Sequence, residues 1–491
     1  MATMRIASGL LAAASVAAGS WLPEIITRDV AIIGGGASGS YAAIRLKEDF
    51  NQSIVVIEKA DRMVCDHHLK ACCCRKADNI QGGHVATYDD PKTGESFNYA
   101  VQTFNDYGPA RSFFERMGIP VGPMARNALV SQYADFTTGL AVNFTPPANA
   151  DRTDALRRLL NITAPYEDLF LPGYWNFPSP DKIPADLLLP FGEFVSKYDL
   201  HAAVNQVFQV TGMGVGDMAN ALTLYVLGAF GQPMIRGFLG QADSFVPTSR
   251  RNIDLYEAVQ ARLGDDVLLN SVVTQSLRTS IGHTLWVQDS VSKKNTLVVA
   301  RKLLIAIEPT EQNMAPFGLD IIEQGVFSKF RHTRVHAGIV SHPSLPKGGS
   351  VINEPAAAAP SNYLELPELN FNVRFDHMGA GSDLWRVMLV GKPEFDADKA
   401  QALVREGLGK LIEKGTLPET EVVEKLEVRA WADHGAMHMN VEAEELSKGF
   451  IQKLYALQGR RGTWWTGGAF AVQFQSILWA FDDVLIPKML A

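Results

Sequence analysis

The clearest alternation of apolar and polar positions lies near the start of the chain. Asp29-Val-Ala-Ile-Ile33 is a short apolar run of strand type. It leads directly into Gly34-Gly-Gly36-Ala-Ser-Gly39. The spacing then predicts a helix over Ser40–Lys47, with Tyr41, Ala43, Ile44 and Leu46 on its inner face. A turn around Asn51 precedes a second strand, Ser53-Ile-Val-Val-Ile57, closed by Glu58. Further on, Thr153–Gly240 reads as mostly helical, with proline-rich turns between Phe170 and Pro190. Within Val335–Val390, Asn370-Phe-Asn-Val-Arg-Phe375 and Trp385-Arg-Val-Met-Leu-Val390 alternate as antiparallel strands of a sheet wall.

The first residues follow a different pattern. One cation in Met1–Arg5 precedes the apolar, small-residue stretch Ile6–Ala18, and Ala17-Ala-Gly-Ser20 suits cleavage. This is the layout of a secretory signal peptide over residues 1–20. The run is short for a membrane span, which needs about 20 apolar residues. Gly212–Gly240 comes closest later on but is interrupted by Asp217, Asn220 and Arg236. No membrane span is therefore expected. The secretory reading gives meaning to three N-x-[ST] tripeptides, at Asn51, Asn143 and Asn161, and implies a secreted glycoprotein.

The chain has 491 residues, 47% of them hydrophobic and 20% charged. That composition is globular, and the length suits about three domain-sized units. A formal charge of −8 without a basic patch argues against a nucleic-acid partner.

The strand, glycine turn, helix and second strand form a dinucleotide-binding βαβ unit. Each position has a physical task. Gly34 permits the tight turn, Gly36 lets backbone approach a pyrophosphate, and Gly39 allows the helix to pack close on the strand. Ser38 belongs to the same turn. The helix N-terminus directs N–H groups and partial positive charge toward phosphate. Glu58 ends the second strand, where a carboxylate accepts hydrogen bonds from ribose hydroxyls and disfavours a 2′-phosphate.

All four cysteines, Cys65, Cys72, Cys73 and Cys74, fall within ten residues, near His67 and His68. Thiolates and imidazoles are zinc ligands, yet three consecutive cysteines are poorly placed to share one tetrahedral ion. No metal is expected. Deleting Val64–Gln81 joins Glu58-Lys-Ala-Asp-Arg-Met63 to Gly82-Gly83. The result, E-x-x-D-R-x-G-G, resembles the continuation of the FAD fingerprint in amine-oxidase-like flavoproteins. The codons of Val64-Cys65 permit a splice donor and that of Gln81 an acceptor. Val64–Gln81 is thus read as a translated intron, with a genuine loop and a metal site as the alternatives.

Gly82-Gly-His-Val-Ala-Thr-Tyr-Asp-Asp-Pro-Lys-Thr-Gly94 and Thr463-Trp-Trp-Thr-Gly-Gly468 together resemble the β-cyclopiazonate dehydrogenase family of fungal flavoproteins. Asn252–Tyr256, Val272-Val273 and Arg301–Pro309 support the likeness, which covers most of the chain. The resemblance implies an α/β fold in which a Rossmann-type FAD-binding domain is interleaved with an α+β, amine-oxidase-like substrate domain. The FAD domain would comprise residues 28–105, 246–312 and 450–491, and the substrate domain 106–245 and 313–449. Arg62, Gly82 and Gly83 would lie near the phosphates and flavin, Val273 on the adenine side, and Gly467 and Gly468 beside the ribityl chain and pyrophosphate. Related flavoproteins often carry an aspartate after the glycine, where this chain has Gly468-Ala469.

The implied activity is an FAD-dependent oxidoreductase, a dehydrogenase or oxidase, acting on a small specialised metabolite. A redox-neutral FAD isomerase of an unsaturated acid and a non-catalytic protein are the competing readings. No residue is assigned as the catalytic base. His434 and His438 are either structural or within reach of the site. Trp465 and Phe470 either face the flavin or build core.

Overall fold

The computed structural model describes residues 23–63, 84–124, 128–379, 381–419 and 425–491. The expected signal segment 1–20, the cysteine-bearing Val64–Gln81, Gly82 and Gly83 lie outside the described residues. The principal elements of the first part are β1 (Glu24–Ile33), α1 (Ala37–Ile44), β2 (Ile54–Ile57), β3 (Thr87–Asp89), β4 (Ser96–Asn98), β5 (Val130–Asp135), β6 (Leu140–Ala141), α2 (Asn149–Thr163) and α3 (His201–Val210). Then come β7 (Val267–Leu268), β8 (Ser271–Arg278), β9 (His283–Asp289), β10 (Asn295–Ile305), α4 (Ile321–Phe327) and β11 (Arg331–Ser341). The chain finishes with β12 (Gly349–Asn353), β13 (Phe371–His377), β14 (Trp385–Gly391), α5 (Ala397–Glu413), β15 (Glu427–Asn440), β16 (Thr463–Trp465) and α6 (Gln475–Leu490).

The first sheet has the order β7-β2-β1-β10-β9-β8, with β16 beside β10. β1 pairs in parallel with β2 on one side and with β10 on the other. Val30, Ala31, Ile32 and Ile54 are fully buried, as expected of parallel strands covered on both faces. The first half of β1 is largely exposed, so apolar patterning gives no sign of it. Pairing from Glu24↔Thr296 onward extends the strand five residues before the predicted start at Asp29. Helix α1 begins at Ala37, directly on the glycine turn, three residues ahead of the predicted Ser40. It runs into a wider π-type turn at Arg45–Asp49.

The second sheet has the order β15-β11-β14-β13-β12-β5-β6. On one face, Val351, Phe375, Val387 and Leu389 pack on Ala400, Val404, Leu408 and Leu411 of α5. On the other face, Ala337, Ile339, Ala430 and Ala432 meet Ala86, Tyr88, Phe97 and Tyr99 around the β3–β4 hairpin. Beyond the hairpin the same face turns toward short helices of residues 149–238. Phe208 on α3 contacts Phe371 with ring centroids 5.7 Å apart.

Candidate active site

Gly34 leaves β1 with φ +97°. Its N–H donates to the Ile57 carbonyl at 2.9 Å, which locks the turn against β2. A Cβ on Gly39 would fall on the Gly34 carbonyl oxygen, so only glycine lets α1 pack this close. Gly36 caps α1 with no side-chain hydrogen bond, and the first turn carries no acidic residue. Those N–H groups are the kind that bind phosphate. Ser38 Oγ is buried there without a hydrogen-bond partner.

Glu58 closes the opposite side of this turn. One carboxylate oxygen accepts the Gly35 N–H at 2.6 Å and the other accepts the Ala60 N–H at 2.9 Å. Burial holds its acidity weaker than usual, and the two N–H donors oppose that. The Ser271 N–H donates to the Glu58 carbonyl at 2.8 Å, so the start of β8 is stitched to the end of β2. Val273 sits two residues along β8, just before a register shift in its pairing with β9. Arg62 pairs with Asp61 at 3.2 Å.

β16 brings the C-terminal turn alongside β10, with Leu303 opposite Thr463 and Ile305 opposite Trp465. Gly467 has φ +109°, and a Cβ there would enter open space. A Cβ on Gly468 would instead strike the Gln473 amide. Trp465 and Phe470 are both fully buried and stack at 6.2 Å, and Trp465 also meets Phe327 at 4.8 Å. They build core. The turn is held from below by Thr466, whose hydroxyl donates to Asp482 at 2.5 Å. Burial keeps the Asp482 carboxyl far above the ordinary carboxylate range.

Lys59 follows β2 and Glu308 follows β10, and the charge of Lys59 is favoured by Glu308 and by Asp433 of β15 and opposed by Arg334 of β11. Arg334 Nε donates to Asp433 Oδ1 at 3.1 Å. Burial pushes Glu308 up to about 7, while Lys59 opposes the shift. Burial also holds Lys59 below the usual lysine range.

Beside them, the rings of His84 and His434 meet edge-on with centroids 5.2 Å apart. His438 lies against Gly214, where any Cβ would collide with its ring. All three histidines are partly exposed. Yet burial drives His84 and His438 down to about 4 and His434 to about 3, so each is a neutral imidazole at pH 7. His434 Nδ1 has no hydrogen-bond partner. His84 and His434 are thus paired by the fold, from segments 350 residues apart in sequence.

Residues 32–65 match the NAD(P)-binding Rossmann-like domain. The chain is 31% identical to the β-cyclopiazonate dehydrogenase of Aspergillus flavus, over 100% of this chain and 99% of the relative. This chain belongs to the β-cyclopiazonate dehydrogenase family of FAD-dependent oxidoreductases. An FAD-dependent oxidoreductase of Emericella nidulans is likewise 31% identical, with 100% and 97% of the two chains covered. The fold is also that of a CLA-producing fatty acid isomerase from P. acnes, with TM-score 0.69 at 16% identity and 94% of this chain and 99% of that one covered. It is shared by the cyclohexylamine oxidase of Brevibacterium oxydans, with TM-score 0.59 at 15% identity and coverage of 94% and 99%.

As a member of the β-cyclopiazonate dehydrogenase family, the chain is an FAD enzyme, and its residues fit that cofactor. Ser38 supplies an unpartnered hydroxyl at an uncapped helix start. Glu58 supplies a buried carboxylate at the end of β2, and Gly467 leaves room where a side chain would intrude. Sequence reasoning assigned no role to Lys59, His84 or Glu308. A signal existed for Lys59 and Glu308. Both lie just past the carboxyl ends of parallel strands flanking β1, the edge where ligands bind in open α/β sheets. Among the described residues, no group of histidine, cysteine and carboxylate side chains is arranged to hold a metal. No helix is long and apolar enough to cross a membrane.

Proposed function

We propose that this enzyme dehydrogenates a small specialised metabolite at a C–H bond next to an amine or in an allylic position. The observation that carries the reading is the group of neutral imidazoles beside the family's FAD-binding fold, with His84 against His434 and His438 further along β15. Bound FAD would supply the two-electron acceptor. The chain supplies dryness, orientation and uncharged hydrogen-bonding groups. The name of the Aspergillus flavus relative assigns dehydrogenation of β-cyclopiazonate to that protein and supports a dehydrogenase here.

Protein made from a message lacking codons 64–81 is expected to be yellow. Anaerobic addition of its substrate is expected to bleach the flavin absorbance, with a product two hydrogens lighter. A product of unchanged mass would replace this reading with an isomerase, and a colourless protein would defeat it.

Entry into the secretory route is part of the proposal. Asn51, Asn143 and Asn161 are all exposed, which supports their use as glycosylation sites. Enzymatic removal of N-glycans is expected to lower the mass of protein from the native source. An unchanged mass would count against glycosylation of these sites.

A further inference from the structure

Strand β15 departs from regular pairing where its histidines lie. Arg334 on β11 faces Ala436 and His336 faces Asp433, so Val335 alone stands opposite His434 and Gly435. Arg331 faces Asn440 and Thr333 faces Met437, so His332 alone stands opposite His438 and Met439. Each place is a β-bulge, an extra residue that bends the strand and re-aims a side chain. A third shift along the same pair, beside Ile339, lies toward the other end of β15.

Each of the two histidine bulges has its own fastening. At the first, Asp433 Oδ1 accepts the Gly435 N–H at 2.9 Å, and Gly435 takes φ +68°. The same carboxylate is held by Arg334, with Nε–Oδ1 at 3.1 Å. At the second, His438 itself takes φ +51°, a left-handed conformation uncommon outside glycine. Asn440 Nδ2 donates to the His438 carbonyl at 2.9 Å, and Thr333 Oγ1 donates to the Gly214 carbonyl at 2.6 Å. A Cβ on Gly214 would fall 2.1 Å from His438 Nε2, so glycine there makes room for the ring. A costly backbone conformation persists only where its surroundings over-determine it, and such places cluster at functional sites.

The two bulges converge on one neighbour. His84 meets the His434 ring edge-on and is within electrostatic reach of His438. His84 directly follows Gly82-Gly83, the turn that the family resemblance sets beside the flavin. Residues His434–His438 are all part-exposed, so the strand borders open space here. His434 Nδ1 is buried with no acceptor in reach. A buried N–H without an acceptor is harder to tolerate than a buried lone pair, so the neutral ring carries its proton on Nε2. Among the described residues Nε2 has no hydrogen-bond partner, which leaves that N–H to a ligand.

We propose that His434 is an uncharged hydrogen-bond donor to the substrate, its Nε2–H taking an uncharged oxygen, a carbonyl or ether, near the oxidised bond. Asp433, Arg334 and Gly435 are positioning residues, which set the direction of that N–H through the bulge. This rests on the dehydrogenase reading and names the group that orients its substrate. No proton changes hands at His434. The ring holds its own proton and shares it in a hydrogen bond.

The test uses flavin-loaded full-length protein and two probes of matched shape: acetophenone, which has an acceptor oxygen, and α-methylstyrene, which has none. Dissociation constants are read from perturbation of the flavin spectrum and from thermal shift. His434→Leu is expected to weaken acetophenone binding about tenfold, the loss of one hydrogen bond, and to leave α-methylstyrene unchanged. His434→Gln, whose amide nitrogen replaces Nε2, is expected to keep most of the acetophenone affinity. Asp433→Asn removes the charge that Arg334 holds and is expected to weaken acetophenone selectively, as His434→Leu does. A merely structural role would weaken both probes together. Equal loss of the two probes, undiminished acetophenone binding in His434→Leu, or no acetophenone binding to the unaltered protein would overturn the donor role. An Asp433→Asn protein that binds both probes normally would overturn the positioning role. Nitrogen NMR of histidine-labelled unaltered protein needs no variant to bind ligand, and a proton found on His434 Nδ1 would also overturn the donor role. Failure of the dehydrogenase reading shows separately, as a product of unchanged mass or a colourless protein, and thermal shift would still compare the probes.

Discussion

Gly39→Ala is expected to abolish flavin binding and to cost about 1–3 kcal/mol of stability. The added Cβ would fall on the Gly34 carbonyl oxygen, a backbone atom with little freedom to yield. Gly34 is tied through its N–H to Ile57, and its own Cβ position is closed by Ile307 Cγ2 at 2.7 Å. Relief must come from moving the start of α1 away from β1. That displaces the N–H groups and Ser38 from the phosphate position. Gly409→Ala in α5 is the matched control, since a Cβ there meets nothing within 4 Å. It is expected to keep full flavin and to hold or slightly raise stability. Flavin absorbance per mole of protein and the urea midpoint measure both outcomes. A Gly39→Ala protein with full flavin and an unchanged midpoint would contradict the close-packing argument.

Arg278→Met carries the other large effect, an expected loss of about 3–5 kcal/mol. Arg278 and Glu323 are both wholly buried, with Nη2–Oε2 at 2.5 Å and Nη1–Oε1 at 3.1 Å. Arg278 also donates to the Phe317 carbonyl at 2.7 Å and to Thr463 Oγ1 at 3.2 Å. It therefore joins β8, the N-terminal turn of α4 and β16. Glu323 has a further task, because its carboxylate accepts the Asp320 N–H at 2.9 Å in the capping box of α4. Removing only the arginine leaves the buried Glu323 carboxylate with the more distant Arg461 (3.6 Å) as its cation and loosens the strand that delivers Gly467. The double substitution Arg278→Met, Glu323→Leu is expected to recover much of the loss, since the uncompensated charge goes with its partner. Thermal unfolding of both singles and the double gives the coupling. Additive losses would refute a buried pair.

The two sites differ in how far the sequence discloses them. Gly39 was legible because its requirement is local. Strand, turn and helix are consecutive, and the glycine spacing encodes the close approach within a few residues. Arg278 gave no such sign. It stands 45 residues from Glu323 and 185 from Thr463, and these meet only when three separate segments share one core. The first half of β1 shows the same division. Its side chains are mostly exposed, so no apolar pattern marked it, and the ladder with β10 alone makes it a strand.

By itself the sequence determined the βαβ unit, the FAD fingerprint ending in Glu58, the helical character of residues 153–240 and the membership of an FAD oxidoreductase family. All of these rest on short-range periodicity or on contiguous motifs, where side-chain spacing and backbone geometry are directly coupled. Only the tertiary structure decided the rest. It placed Trp465 and Phe470 in the core, faced His84 against His434, brought Lys59 within electrostatic reach of Glu308, Arg334 and Asp433, and put Arg374 and Arg386 on Asp376. The physical reason is that burial and electrostatic pairing act through space. Desolvation neutralises the histidines and holds the Glu308 and Glu354 carboxyls near neutrality only after distant strands and helices have closed around them.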